Sequence, residues 1–106
     1  MGRYIVSRPR IVFNQLIPPS PYNAMALGTL IIVRGRTVSE KTVAHELVHV
    51  DQYKRLGFAR FLLTWAWEYV RKGYWNISLE REAYKKQNDA EYLQRARRLL
   101  SETFGS

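Results

Sequence analysis

Residues 37–57 read TVSEKTVAHELVHVDQYKRLG, and more of the fold can be read from this stretch than from any other. Thr37 has the chemistry of a helix N-cap, and Glu40 three residues later completes a capping box, so a helix is expected to start here. Gly57 is a favoured residue just past a helix end, which puts the stop near Leu56. His45 and His49 are four residues apart in the middle of that helix and therefore project from one face. Ala44, Leu47 and Val48 give the helix an apolar flank, beside which unpartnered imidazoles would be costly. The chain has 2 histidines, and both lie in this stretch.

Two imidazoles one turn apart can converge on a single ion, and zinc accepts neutral imidazole nitrogen while leaving positions open for other ligands. Glu46 is rotated by about 100° from His45, so it can reach a water on the metal without ligating the metal itself. His-Glu-x-x-His on a helix is the signature of zinc peptidases. A catalytic zinc usually takes three protein ligands. With no third histidine and no cysteine, the third is expected to be a carboxylate downstream. Glu80 and Glu82, in LEREAY at 79–84, are the candidates. Glu80 shares a helix face with Ala83, Tyr84 and Gln87, whereas Glu82 lies closer to the stripe of Leu79, Ala90 and Leu93. Periodicity leaves both open, and either carboxylate also suits the positive end of a helix.

Beyond Gly57 a second helix is expected over Phe58–Lys72, ending at Gly73. Tyr74-Trp75-Asn76 makes a corner. A third helix then runs from Ser78 or Leu79 to about Glu102, its apolar positions Leu79, Ala83, Ala90, Leu93 and Leu100 at helical spacing. Before Thr37, Leu27–Val33 is rich in β-branched residues and reads as a strand. Tyr4–Val6 and Arg10–Phe13 are shorter β-favouring runs. Pro18, Pro19 and Pro21 mark a loop, and the segment Asn14–Ala26 is placed to cover the site. The expected architecture is α+β: an N-terminal sheet of two or three strands, then three helices, in one domain over residues 1–106. The aromatic run around Trp65, Trp67, Tyr69, Tyr74 and Trp75 reads as a core helix packed on the metal helix. Trp65 and Trp67, two apart, cannot both face inward, so one is expected at the surface as a partner or membrane contact.

Lys and Arg number 17 against 9 Asp and Glu, giving a net charge of +8 and a pI near 10.1. Such a balance favours an anionic partner, either nucleic acid or a membrane surface. The charge is spread along the chain, and no nucleic-acid motif accompanies it. The absence of cysteine excludes disulfides and thiolate ligands and fits a reducing compartment. Phe58–Val70, the most apolar stretch, is interrupted by Arg60 and Glu68 and is too short to cross a bilayer. Met1–Arg10 holds no run resembling a signal peptide. A cytoplasmic location is the expectation.

His45-Glu46-x-x-His49-x-x-Gln52, then Gly57, then Asn76-x-x-x-Glu80-x-Glu82-Ala83-Tyr84 together resemble the gluzincin metallopeptidases, most closely their very small members, the minigluzincins. The resemblance covers roughly residues 27–90 in coarse order, with the two motif regions its specific part. It implies Zn2+ held by His45, His49 and Glu80, because the first glutamate of a Glu-x-Glu-Ala run is usually the ligand. In the family an acidic residue four positions later often supports a zinc histidine. Here that position is Tyr84, a departure, and Gln52 is the candidate to fill part of that role. The resemblance also implies that Leu27–Val33 forms a sheet edge to which an extended peptide adds.

The function expected from these readings is zinc-dependent hydrolysis of a peptide or protein substrate, with Glu46 as general base. Tyr53, Tyr74 and Tyr84 are candidates to stabilise the oxyanion. The alternative, from a different class, is a catalytically silent zinc-binding scaffold with a basic, aromatic-rich surface. Nucleic-acid binding through Arg81, Lys85, Lys86, Arg95, Arg97 and Arg98 ranks third.

Overall fold

The computed structural model describes residues 8–105; the run Tyr4–Val6 lies outside them. Three strands form one mixed sheet: β1 (Arg10–Asn14), β2 (Ala24–Leu27) and β3 (Leu30–Arg34). The order is β1-β3-β2, with β1 parallel and β2 antiparallel to the central β3. The expected single strand Leu27–Val33 is instead the turn and second arm of a hairpin. Gly28, at φ 66°, and Thr29 make a two-residue turn in the middle of a β-favouring run. The strand preceding the helices is therefore central, and β1 and β2 are the edges of the sheet.

Four helices follow: α1 (Glu40–Leu56), α2 (Phe58–Lys72), α3 (Ser78–Lys86) and α4 (Ala90–Thr103). The α+β class is as expected, with one helix more. The expected third helix breaks at Gln87-Asn88-Asp89, where the Asp89 carboxylate accepts a hydrogen bond from the Glu91 amide and caps α4. Apolar spacing continues through the break, so periodicity alone did not reveal it, whereas Asn-Asp is a cap signal. At the start of α1 the cap is Ser39 rather than Thr37: the Ser39 hydroxyl accepts from the Thr42 amide at 3.1 Å. Glu40, now in the first turn, reaches Arg97 of α4 instead of closing a capping box.

Helix α1 is the centre of the molecule. Val43 through Val50 are all buried, an unbroken run that only a helix covered on every side can have. The sheet contributes Ile31 and Val33 to this core, α4 contributes Ala96 and Leu99, and Ile77 closes it ahead of α3. Asp51 of α1 receives a bidentate pair from Arg95 and a 2.6 Å bond from the Tyr92 hydroxyl, tying α4 along α1. Helix α2 behaves differently. Phe61 is its one buried residue, so the expectation of a core helix holds for a single stripe only. No helix among the described residues is long and apolar enough to cross a membrane.

Helix α3 has no capping side chain of its own, since Ile77 occupies its N-cap position. Glu68 of α2 supplies the missing acceptors, taking the Ser78 amide at 2.6 Å and the Ser78 hydroxyl at 3.1 Å. The bond from the Ser78 amide holds the Glu68 carboxyl below its ordinary value. A group depressed in the folded state stabilises it above the unfolded pKa and loses that contribution as pH falls. Glu68→Ala is therefore expected to cost about 1 kcal/mol in urea denaturation at neutral pH. The difference should shrink as pH falls below the ordinary carboxylate value of 4.5.

Candidate metal centre

The middle of α1 presents His45 and His49 on one face, and the first turn of α3 delivers Glu80 opposite them. One carboxylate oxygen, Glu80 Oε1, lies 3.1 Å from His45 Nε2 and 3.1 Å from His49 Nε2. The three atoms are mutually within 4.8 Å, and all three residues are buried. Glu82, the other carboxylate left open by the sequence, is elsewhere. It accepts from the Gln52 amide at 2.7 Å and pairs with Lys86 and Arg55.

The far side of each imidazole is held by a glutamine. His49 Nδ1 lies 2.8 Å from Gln52 Oε1, and His45 Nδ1 lies 2.8 Å from Gln87 Oε1. The orientation of the Gln52 amide is not arbitrary, because its nitrogen donates to the Leu79 carbonyl at 3.0 Å and to Glu82 Oε1. Both of those partners are acceptors, so the amide oxygen must face His49. It follows that Nδ1 of His49 carries the proton and that the neutral ring presents a lone pair at Nε2. That lone pair points at a carboxylate oxygen, which is also an acceptor. Two acceptors at 3.1 Å repel unless a positive charge lies between them, a proton or a metal ion.

The donor types, two imidazole nitrogens and a carboxylate oxygen, are ones that zinc takes. Ligand atoms about 2.0–2.1 Å from an ion in tetrahedral geometry stand roughly 3.3 Å apart, close to the 3.1 Å that separates Glu80 Oε1 from each imidazole nitrogen. The outer hydrogen bonds are those that orient metal-ligating histidines, with amide oxygens in place of carboxylates. Glu80 itself is braced from two sides: Trp65 Nε1 donates to Oε2 at 2.9 Å, and the Tyr74 hydroxyl donates to Oε1 at 3.2 Å. Burial works against the Glu80 anion, but its bonds to His45, His49 and Trp65 hold the carboxyl well below the usual range. For His49, burial disfavours the cation, yet the adjacent Glu80 outweighs it and raises the pKa.

Glu46 points into the same space without joining the cluster. Its Oε1 is buried and has no hydrogen-bond partner among the described residues. Burial pushes its carboxyl up, with His49 and His45 pulling the other way. A buried carboxylate oxygen without a donor is costly unless something polar enters the space before it.

That space is a cavity of about 320 Å³. Met25 of β2 lines one side, Leu62 and Trp65 of α2 the other, and Pro18 and Pro19 of the loop close over part of it. A second cavity of about 300 Å³, lined by Lys41, Thr42, Tyr84 and Gln87, shares His45, Glu46 and Tyr74 with the first, so the two form a cleft across the histidines. The free edge of β2 borders it. Asn23 and Arg34 are hydrogen-bonded partners, so by alternation the amides and carbonyls of Ala24 and Ala26 point away from β3. Tyr53 takes the Ala26 carbonyl at 3.2 Å, and its own hydroxyl pKa is pushed up to about 12 by burial.

Among the tyrosines named from the sequence, Tyr53 is thus engaged with the sheet edge and Tyr74 stands beside Glu80. Tyr84 sets its ring edge-on to His45, with centroids 4.6 Å apart, and its hydroxyl meets that of Tyr74 at 3.2 Å. It accepts nothing from an imidazole; Gln87 fills that place. The sequence carried a sign of this, since Gln87 shares the helix face of Glu80, but nothing in it marked Trp65 as a donor to the carboxylate. Compared with known proteins, the chain matches no family model, no curated protein and no solved structure.

The geometry makes a stability prediction free of any metal. Gln52→Leu removes the partner of His49 Nδ1 and should cost about 2 kcal/mol. The near-isosteric Gln52→Glu should cost more, about 3 kcal/mol, because it sets an anion against the Leu79 carbonyl and Glu82. Urea denaturation of both variants in chelator checks the order, and an innocuous Gln52→Glu would contradict the assigned orientation.

Proposed function

We propose that the chain is a zinc-dependent peptidase acting on extended peptide segments. The observation that supports this most is Glu46, whose Oε1 is buried with no donor among the described residues and whose side chain lines a cleft beside a two-histidine, one-carboxylate cluster. A purely structural metal site has no use for an unpaired general base facing an open space, whereas a hydrolytic site requires one.

His45, His49 and Glu80 would hold the zinc, which when bound supplies Lewis acidity, acidifying water and polarising a carbonyl. Glu46, its pKa raised by burial, accepts a proton on its carboxylate from the water that attacks the peptide carbonyl. It then returns that proton to the amine nitrogen as the C–N bond breaks. The Tyr74 hydroxyl stands at the cavity wall, where turning its proton from Glu80 Oε1 toward the cleft would let it donate to the developing oxyanion. Ala24 and the Ala26 amide on the β2 edge offer main-chain groups to an extended substrate, which would pair as an added strand. Met25, Leu62 and Phe61 give the cleft an apolar lining. We place this activity in the cytoplasm, on the absence of cysteine and of a helix able to cross a membrane among the described residues.

The second reading is a zinc-binding scaffold without turnover, favoured by the loop bearing Pro18 and Pro19, which occupies part of the cleft wall. One experiment separates the two readings. The purified protein should carry about one zinc per chain, and His49→Ala or Glu80→Ala should lose it. Glu46→Gln should keep the zinc while hydrolysis of a peptide library falls at least about 100-fold. Zinc retained by both alanine variants would sink the ligand set. Zinc bound with no cleavage by the wild-type chain would favour the scaffold.

A further inference from the structure

Helix α2 turns an apolar face to solvent. At about 100° per residue, Leu62, Ala66, Val70, Leu63 and Trp67 follow one another around the side away from α1. Val70 is 80% exposed, Leu63 71% and Trp67 63%. Trp75, immediately after the helix, is 72% exposed. A solvated helix puts charge on such a face, and a contiguous apolar patch of this kind marks a contact.

The charges around the patch are of one sign. Arg60 and Arg71 border it, and the Arg71 guanidinium lies 5.3 Å over the Trp67 ring. Glu68, the acid of α2, faces α3 and is engaged by Ser78. Elsewhere among the described residues, Glu40, Asp51, Glu82 and Glu102 are each paired with arginine or lysine, while Glu46 and Glu80 are buried. Asp89 and Glu91, exposed at the start of α4, are the remaining acids and have no ion pair among the described residues, in a chain of net charge +8.

We propose that this face of α2 docks the protein on an anionic lipid bilayer. Charge complementarity selects the occupant. A second copy would set Arg60 and Arg71 of one molecule against those of the other, and two +8 chains repel. An anionic leaflet attracts the same arginines and receives the apolar side chains between them. The surface offered is a single helix standing proud of the domain, with Phe61 its one buried residue, a ridge suited to lying in an interface rather than a groove for a peptide. No described helix can span, so α2 lies in the interface plane. Trp67 and Arg71 then sit at headgroup level, with Leu63 and Val70 toward the acyl chains. Leu62 both lines the cleft and is 39% exposed, so the docked face adjoins the opening of the candidate site.

The test uses the full chain and vesicles of equimolar phosphatidylcholine and phosphatidylglycerol, with pure phosphatidylcholine as control. Co-sedimentation is expected with the mixed vesicles only and should weaken with salt. Tryptophan emission should be quenched by lipids brominated on the acyl chains. The charge-neutral double variant Leu63→Ser, Val70→Ser, changed at exposed positions and checked for fold by circular dichroism, should bind at least about tenfold more weakly. Failure of the wild-type chain to sediment with mixed vesicles at low salt would overturn the proposal. So would equal binding by the double variant, which assigns the attraction to net charge alone. Self-association abolished by the same substitutions, without vesicle binding, would give the face to a second copy instead. Sedimentation with an acidic protein or nucleic acid but not with vesicles would overturn it likewise.

Discussion

A carboxylate oxygen lies 3.1 Å from two imidazole nitrogens, away from solvent, and at His49, whose Nε2 is an acceptor like the carboxylate, a positive charge is needed between them. Much of the rest of the structure serves that constraint. The two rings come from one turn of α1, so their spacing is set by helix geometry alone. The carboxylate comes from the first turn of α3 and has to be brought from a distance. Three contacts bring it: Glu68 of α2 fixes where α3 begins, Trp65 of α2 holds one oxygen of Glu80, and Tyr74 meets the other. Helix α2, nearly unburied, contributes to the site by positioning α3 rather than by adding to the core.

Gln52 is the link between the cluster and its surroundings. It is fully buried, and all three of its hydrogen bonds run toward the site or toward α3. A carboxylate at that position would add a third anion to a buried pocket already holding Glu46 and Glu80. The neutral amide leaves the pocket with two acids, and its nitrogen donates outward to Glu82, which faces Lys86 and Arg55 near solvent. If a divalent cation binds the folded cluster and not the unfolded chain, its binding adds directly to stability. Part of that gain would be relief of the repulsion between Glu80 and the His49 Nε2 lone pair.

What the sequence disclosed follows the range of the interactions involved. His45, Glu46 and His49 on one helix, the stop at Gly57 and the α+β order depend on neighbours within a few turns, and spacing shows them directly. The start of α1 is expected two residues early because Thr37 and Ser39 are both capping residues and only the backbone path distinguishes them. The hairpin was read as one strand because Gly28-Thr29 is short and the residues on both sides favour β structure. The choice between Glu80 and Glu82 was open because both lie near the start of one helix. Which of the two faces the histidines depends on which face of α3 meets α1, a tertiary matter that periodicity does not encode. Trp65 and Glu68 were legible only as parts of an aromatic, amphipathic helix, since their partners Glu80 and Ser78 lie across a turn whose direction spacing does not encode.

Helix α2 shows two faces with two different physical demands. Its inner stripe, Phe61, Trp65 and Glu68, is specified by the core, by Glu80 and by Ser78 in turn. Its outer stripe gains nothing from folding, because Leu63, Trp67 and Val70 remain in water. Burying each such side chain against a partner is worth about 1.5–3 kcal/mol, a sizeable amount beside the roughly 5–15 kcal/mol that holds a domain together. That free energy is unused within the monomer and is available to association. Because the inner stripe positions Glu80, whatever engages the outer stripe acts on the same rigid helix that supports the candidate site. Contact at the surface and geometry at the cluster are then separated by one helix diameter, about 10 Å.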